Sequence, residues 1–282
     1  MADVKTAAAR PSATHGTSAG KPKNSSNFLY NLLIVVACIV AGYVIWKFVL
    51  GSSGNFADAD KAKALNTFGL MFQGGFVVPI LLATLFTLLC FVVERALTII
   101  KAKGKMDAGE FVRKVQYHLA NKNIDAAIAE CDKQAGSVGN VMRSGLSKYR
   151  DMTNNNDLET DQKVLSIQKE IEEATALELP MLEKNLVFLS TIASVATLMG
   201  LLGTVIGMIT SFAALGEAGG GEAAQRLSQG ISEALYNTAL GIGTSAISII
   251  MYNIFTTKID GITYGIDESG FTLTQSFASL YK

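Results

Sequence analysis

The sequence predicts an all-α membrane protein with about four transmembrane helices. Three observations lead there. Hydrophobic residues make up 49% of the 282 and charged residues only 17%, which is too apolar and too charge-poor for an ordinary soluble domain. The apolar residues also come in blocks: 28–46, 76–93 and 185–216 carry no charge, and 227–257 carries only Glu233. About 20 residues of helix cross a bilayer core, so each block is long enough to be a span. Finally, the polar segments between the blocks show helical rather than alternating periodicity, and none reads as a strand.

Taken in order, residues 1–27 are rich in Ala, Ser, Thr and Gly and read as a disordered tail. Residues 28–50, "FLYNLLIVVACIVAGYVIWKFVL", are the first span. Its apolar run exceeds the roughly 7–15 residues of a signal-peptide core, and no small-residue cleavage site follows cleanly, so it reads as an uncleaved anchor. Residues 51–75 are a short outer loop, with a helical turn expected over "ADADKAKALNTF". Residues 76–98 are the second span, closed by Glu94-Arg95 and the lysines behind them.

Residues 99–184 are a polar helical region. In "DAGEFVRKVQYHLA", Phe111, Val112, Val115 and Leu119 recur near helical spacing. "NIDAAIAECDKQ" and "VGNVMRSGLSKYR" are further helices, and "TNNND" at 153–157 is a loop. His118 among these helices is read as structural or surface-exposed. A long helix is expected to start near Leu158 and run into the third span, 185–216, with a kink at Pro180. Residues 217–228 are a Gly-rich turn, 229–257 the fourth span and 258–282 a tail.

Lys and Arg counts orient these spans, because basic loops stay on the cytoplasmic side. The tail carries Lys5, Arg10, Lys21 and Lys23, and segment 94–184 carries 14 basic residues. The loop 51–75 carries only Lys61 and Lys63, and the loop 216–226 only Arg226. Both termini and 94–184 are therefore expected in the cytoplasm, with long helices extending there from the membrane.

Several function classes are disfavoured. Net charge is zero, with 24 basic and 24 acidic residues, so no nucleic-acid surface is expected. Cys38, Cys90 and Cys131 are far apart and show neither metal nor disulfide spacing; each reads as a small buried apolar residue. "GEAGGGEAAQR" lacks the G-K-[ST] of a phosphate loop. With His15 in the tail and His118 in a helix, no Ser/His/Asp or Cys/His constellation is available. Neither an enzyme nor a cofactor site is expected.

The chemistry concentrates in the last two spans. In the third, Ser190, Ser194, Thr197, Gly200, Thr204, Gly207 and Ser211 are spaced 4, 3, 3, 4, 3 and 4, one face of a helix. In the fourth, Glu233, Asn237, Gly241, Thr244 and Ser248 form a similar row, with Thr238 on its flank. Gly203-x-x-x-Gly207 and Gly241-x-x-x-Ser245 are small pairs that let helix backbones touch. Close packing accounts for Gly200, Gly203, Gly207 and Gly241. It accounts poorly for Glu233, since an acidic residue in a span usually faces a polar partner, a cavity or a pore. Hydroxyl-lined helices therefore point to an ion path or a polar docking surface, with pure packing as the alternative.

The stretch "LELPMLEKNLVFLSTIASVATLMGLLGTVIGMITSF", followed by "GISEALYNTALGIGTSAISIIMYNIF", resembles the MotA/TolQ/ExbB proton-channel family, ExbB most of all. The resemblance covers about residues 76–260 and is carried by "GLLGTVIGMI", "EAL-x-x-TA-x-G" and the late "YN". It implies a homo-oligomeric ring of five copies around a small single-span partner of the ExbD or TolR kind, whose membrane Asp carries the proton. It further implies a TonB-like protein as downstream partner, and residence in a bacterial inner membrane. The resemblance places Thr204 and Thr238 in the pore and makes Glu233 the acidic residue of the last span. Thr197, Asn237 and Ser211 extend the candidate path. Two departures stand out: Thr197 occupies a position often held by Pro, and the span 28–50 is additional to the usual three. A TolQ-like motor subunit and a non-conducting scaffold are the alternative expectations.

Overall fold

The computed structural model describes residues 24–57, 64–155, 157–217 and 221–281. Nearly all of them are helical, and the described residues contain no strand beyond an isolated bridge between Phe56 and Ala64. Four helices are long and apolar enough to cross a membrane.

The first, α1 (Asn24–Val44), continues as a π-helix over Ile45–Leu50. A short outer substructure follows: a 3₁₀ turn at Ser53–Asn55 and the helix α2 (Thr67–Gln73). Asn66 caps α2 by accepting from the Gly69 N–H at 3.0 Å, supplying one of the acceptors a helix start lacks. Trp46 stacks on Phe72 with centroids 4.7 Å apart, and Phe56 meets the same ring edge-on. Half of the turn expected over 57–68 lies outside the described residues. The described helix starts only at Thr67, where the Asn66 cap permits it.

Helix α3 (Val77–Lys103) descends beside α1. The two backbones touch at Gly42, where a Cβ would fall 2.8 Å from the Pro79 carbonyl oxygen. Cys38 and Cys90 lie across the same contact, their sulfurs 3.7 Å apart. Cys38 is buried, but Cys90 is exposed. Its exposure at the edge of this contact overturns the expectation that all three cysteines are buried.

The polar region folds as α4 (Ala108–Ala120), α5 (Ile124–Gln134) and α6 (Ser137–Asn154). Asp107 and Asn123 cap the first two. Buried Gln134 ties the α3–α4 turn to the α5–α6 turn: it accepts from Met106 N at 2.8 Å and donates to Met106 O at 3.0 Å. Burial pushes the Cys131 thiol up to about 12.

Helix α7 (Thr160–Glu183) starts on a Glu159/Gln162 capping box. The helix runs through Pro180, where a kink is expected, to Glu183. The chain breaks at Asn185, whose φ of +66° lies in the left-handed region, before α8 (Leu186–Glu217) begins. The last helix, α9 (Gly221–Leu280), runs 60 residues without interruption. Residues 258–282, expected as a tail, are therefore mostly helix. Ile259, Ile262, Ile266, Leu273 and Phe277 are buried in a core shared with Phe111, Leu119, Leu146 and Ile167 of the polar region. Tyr149 packs edge-on against Phe277 at 4.7 Å, and the Thr160 hydroxyl donates to the Tyr281 carbonyl at 2.9 Å.

Candidate functional site

Helices α8 and α9 form a hairpin whose two backbones meet over several turns. A Cβ on Gly241 would sit 2.5 Å from the Ala196 carbonyl oxygen and 2.8 Å from Gly200 Cα. On Gly203 it would strike Asn237 Cβ at 2.6 Å, and on Gly207 Ala234 Cβ at 2.8 Å. All four candidate glycines thus sit at helix–helix contacts, as small-residue packing requires.

That contact sorts the predicted hydroxyl rows. The α9 row faces α8: Asn237, Gly241, Thr244 and Ser248 are all buried, and the Ser248 hydroxyl donates to the Leu189 carbonyl at 2.6 Å. On α8 the buried positions are Leu189, Ala196, Gly200, Gly203 and Ser211, whereas Ser190, Ser194 and Thr197 are exposed. The α8 row therefore crosses from the inside of the hairpin to its outside. Thr197 spends its hydroxyl on its own helix, at the Ala193 carbonyl, and Ser211 does the same at Gly207.

Thr204 and Thr238 come to one level. The Thr238 hydroxyl donates to Gly200 O at 3.0 Å and the Thr204 hydroxyl to Leu201 O at 2.6 Å. These are successive carbonyls of α8, about 1.5 Å apart along the axis. Each hydroxyl keeps its lone pairs for a further donor. Both residues are half-buried, and Thr204 lines an open apolar groove with Val205, Met208, Ile209 and Phe212. Glu233, also half-buried, lies one turn beyond Asn237 and accepts from Gln229 at 3.2 Å.

Asn237 is placed differently. It is 3% exposed, wedged between Gly203 of α8 and the turn joining α2 to α3, and its amide nitrogen donates to Gly74 O at 3.2 Å. Its amide oxygen has no hydrogen-bond partner among the described residues. It anchors the outer substructure to α9 inside the hairpin, away from the groove that Thr204 lines.

Sequence reasoning missed a polar cluster at the inner end of the spans. Arg95, 1% exposed, bonds Glu94 at 2.9 Å and the Leu182 carbonyl at 3.2 Å. Glu94 also accepts from Asn185 at 2.9 Å, and Asn185 accepts from Asn31 of α1 at 2.9 Å. The cluster joins the additional first helix, α3 and the α7–α8 break. A buried guanidinium demands such partners. The advance signals were the Glu94-Arg95 pair that closes the second span and Asn31, a polar residue inside an apolar run.

These features define a multi-pass helical membrane protein whose last two spans form a close-packed, hydroxyl-bearing hairpin. Residues 134–268 match the MotA/TolQ/ExbB proton channel family, a stretch that runs from the end of α5 well into α9. It contains Thr204, Glu233, Asn237 and Thr238. Over 79 residues the chain is 42% identical to the biopolymer transport protein ExbB of Helicobacter pylori, covering 28% of this chain and 54% of that one. It is 38% identical over 96 residues to the Tol-Pal system protein TolQ of Haemophilus influenzae, covering 32% and 41%. It is 29% identical over 133 residues to TolQ of Pseudomonas aeruginosa, covering 45% and 57%. The chain thus spans about half the length of these relatives.

Proposed function

We propose that this chain is a subunit of an ion-driven motor of the ExbB/TolQ kind, placed in a bacterial inner membrane with both termini in the cytoplasm. Five copies would surround a single-span ExbD- or TolR-like partner that supplies a membrane Asp. The observation that carries this reading is the position of Thr204 and Thr238. Both lie inside the stretch that matches the family, at one level of the hairpin and half-buried.

In this reading, Thr204 and Thr238 present hydroxyl oxygens to a passing proton or its carrier, and Glu233 hydrates or charges the outer end of the path. Gly200, Gly203, Gly207 and Gly241 hold the hairpin closed. A membrane potential of about 100 mV does roughly 2.3 kcal/mol of work on each elementary charge, enough to bias one step of partner movement. No chemical transformation is assigned to the chain. An ExbB-type role, energising outer-membrane transport through a TonB-like protein, is favoured by the identity to the Helicobacter pylori relative. The TolQ-named relatives favour an envelope-maintenance motor instead.

The test is proton flux in vesicles containing the full chain with its co-purifying partner. Thr204→Val and Thr238→Val, which keep shape and remove the hydroxyl, are expected to leave assembly intact by native mass spectrometry and to lower flux. Normal flux in both variants, or a monomer without a small single-span partner, would overturn the motor reading in favour of a membrane scaffold.

A further inference from the structure

We infer that the groove between the inner ends of α3 and α9 binds one anionic diacyl phospholipid. The groove has a volume of about 600 Å³. Its floor is apolar, formed by Ile99, Phe255 and Ile262, all buried. Its walls include Ile100 and Ile254, which are 67% and 45% exposed. Two lysines stand on its lining, Lys103 in the last turn of α3 and Lys258 of α9. Neither pairs with a carboxylate among the described residues. The carboxylate that lines the groove, Asp107, is committed to capping α4 through the Gly109 N–H at 3.2 Å.

The level of the groove matters as much as its lining. Helix α3 passes here from the Glu94-Arg95 pair through the uncharged residues 96–100 into Lys101 and Lys103, and α9 leaves its apolar run at Thr257. The groove therefore straddles the boundary between hydrocarbon and water on the lysine-rich side. A phospholipid presents the complement: an anion at the boundary and acyl chains beneath it. Basic pockets between transmembrane helices on this side attract anionic headgroups in this way. A second copy of the chain would have to bring carboxylates to both lysines above an apolar ridge. This inference needs only the membrane reading and stands apart from the motor.

The test is native mass spectrometry of the delipidated full-length protein, titrated with palmitoyl-oleoyl phosphatidylglycerol and, separately, with the matching phosphatidylcholine. Phosphatidylglycerol is expected to bind at least about tenfold more tightly. Each lysine near an anionic surface contributes roughly fivefold, about 1 kcal/mol. Lys103→Gln with Lys258→Gln is therefore expected to cost roughly thirtyfold for phosphatidylglycerol and little for phosphatidylcholine. Both lysines are exposed, so the double variant keeps its fold. Ile254→Trp, which fills the groove without changing charge, is expected to weaken both lipids. Glycerol 3-phosphate is expected not to compete, because it has no chains for the floor. Equal binding of the two lipids, or phosphatidylglycerol retained in full by the double lysine variant, would overturn the proposal. So would photocrosslinking from position 100 that captures a second copy of the chain rather than lipid.

Discussion

The hairpin's closure can be tested at two glycines two residues apart. A Cβ on Gly241 would lie 2.5 Å from the Ala196 carbonyl oxygen and 2.8 Å from Gly200 Cα, against at least 3.4 Å for ordinary contact. Both obstacles are backbone, so no side chain can swing away. The helices must part locally by roughly 0.9 Å, the shortfall at the carbonyl. Overpacking of this kind costs about 1–3 kcal/mol. At about 2–4 °C per kcal/mol for a large chain, Gly241→Ala should lower the melting temperature by roughly 2–12 °C. Gly243, on the exposed side of the same helix, has nothing within 4 Å of its Cβ position. There the same substitution removes backbone freedom from the unfolded chain and improves helix propensity, so it should be neutral or slightly stabilising. The assay is thermal unfolding of detergent-purified protein, followed by tryptophan emission and by loss of the monodisperse peak. Equal melting temperatures for the two variants would refute the argument that α8 and α9 touch backbone to backbone.

Two further outcomes follow from buried groups. Arg95→Met leaves the Leu182 carbonyl without this donor and Glu94 without its cation, a loss of about 3–5 kcal/mol. The double variant Glu94→Gln with Arg95→Met should recover part of it, and a single variant as heat-stable as the parent would count against the cluster. Among the thiols, a membrane-permeant oxidant should join Cys38 to Cys90, 3.7 Å apart, detected as a 2 Da mass decrease within one chain. Cys131 should resist maleimide at pH 8. With its thiol pushed to about 12 from an ordinary 9.0, only about one molecule in 10⁴ is thiolate there. Because the folded-state value is raised, the stability held by the neutral thiol is complete below the ordinary value. It is lost progressively as pH climbs from about 9 to about 12. Rapid labelling of folded protein at pH 8 would contradict this placement.

Local chemistry made much of the molecule readable. A span needs only an uninterrupted apolar run, so four apolar helices were visible in composition. The helices over 107–120 and 123–134 announced themselves through apolar spacing, and Gly200, Gly203, Gly207 and Gly241 through their intervals. Which face of α8 those residues occupy was not readable. Helical spacing groups Thr197 with Gly200 and Thr204, yet α9 covers only part of that face. Thr197 is thus left outside while Ser211 lies inside. Asn237 illustrates the same gap: its partner, Gly74, is 163 residues away.

Hydrophobic runs and small-residue intervals by themselves determined that this chain is an all-α membrane protein with a tightly packed final hairpin. Both are properties of one helix at a time, and solvent or bilayer acts on them directly. Tertiary structure alone decided the break at Asn185, the continuation of α9 into the core of the polar helical region, and the union of Asn31, Glu94, Arg95 and Asn185. Each rests on hydrogen bonds or burial between segments far apart in sequence, such as Asn31 and Asn185 across 154 positions. The energy that selects them exists only once those segments have been brought together.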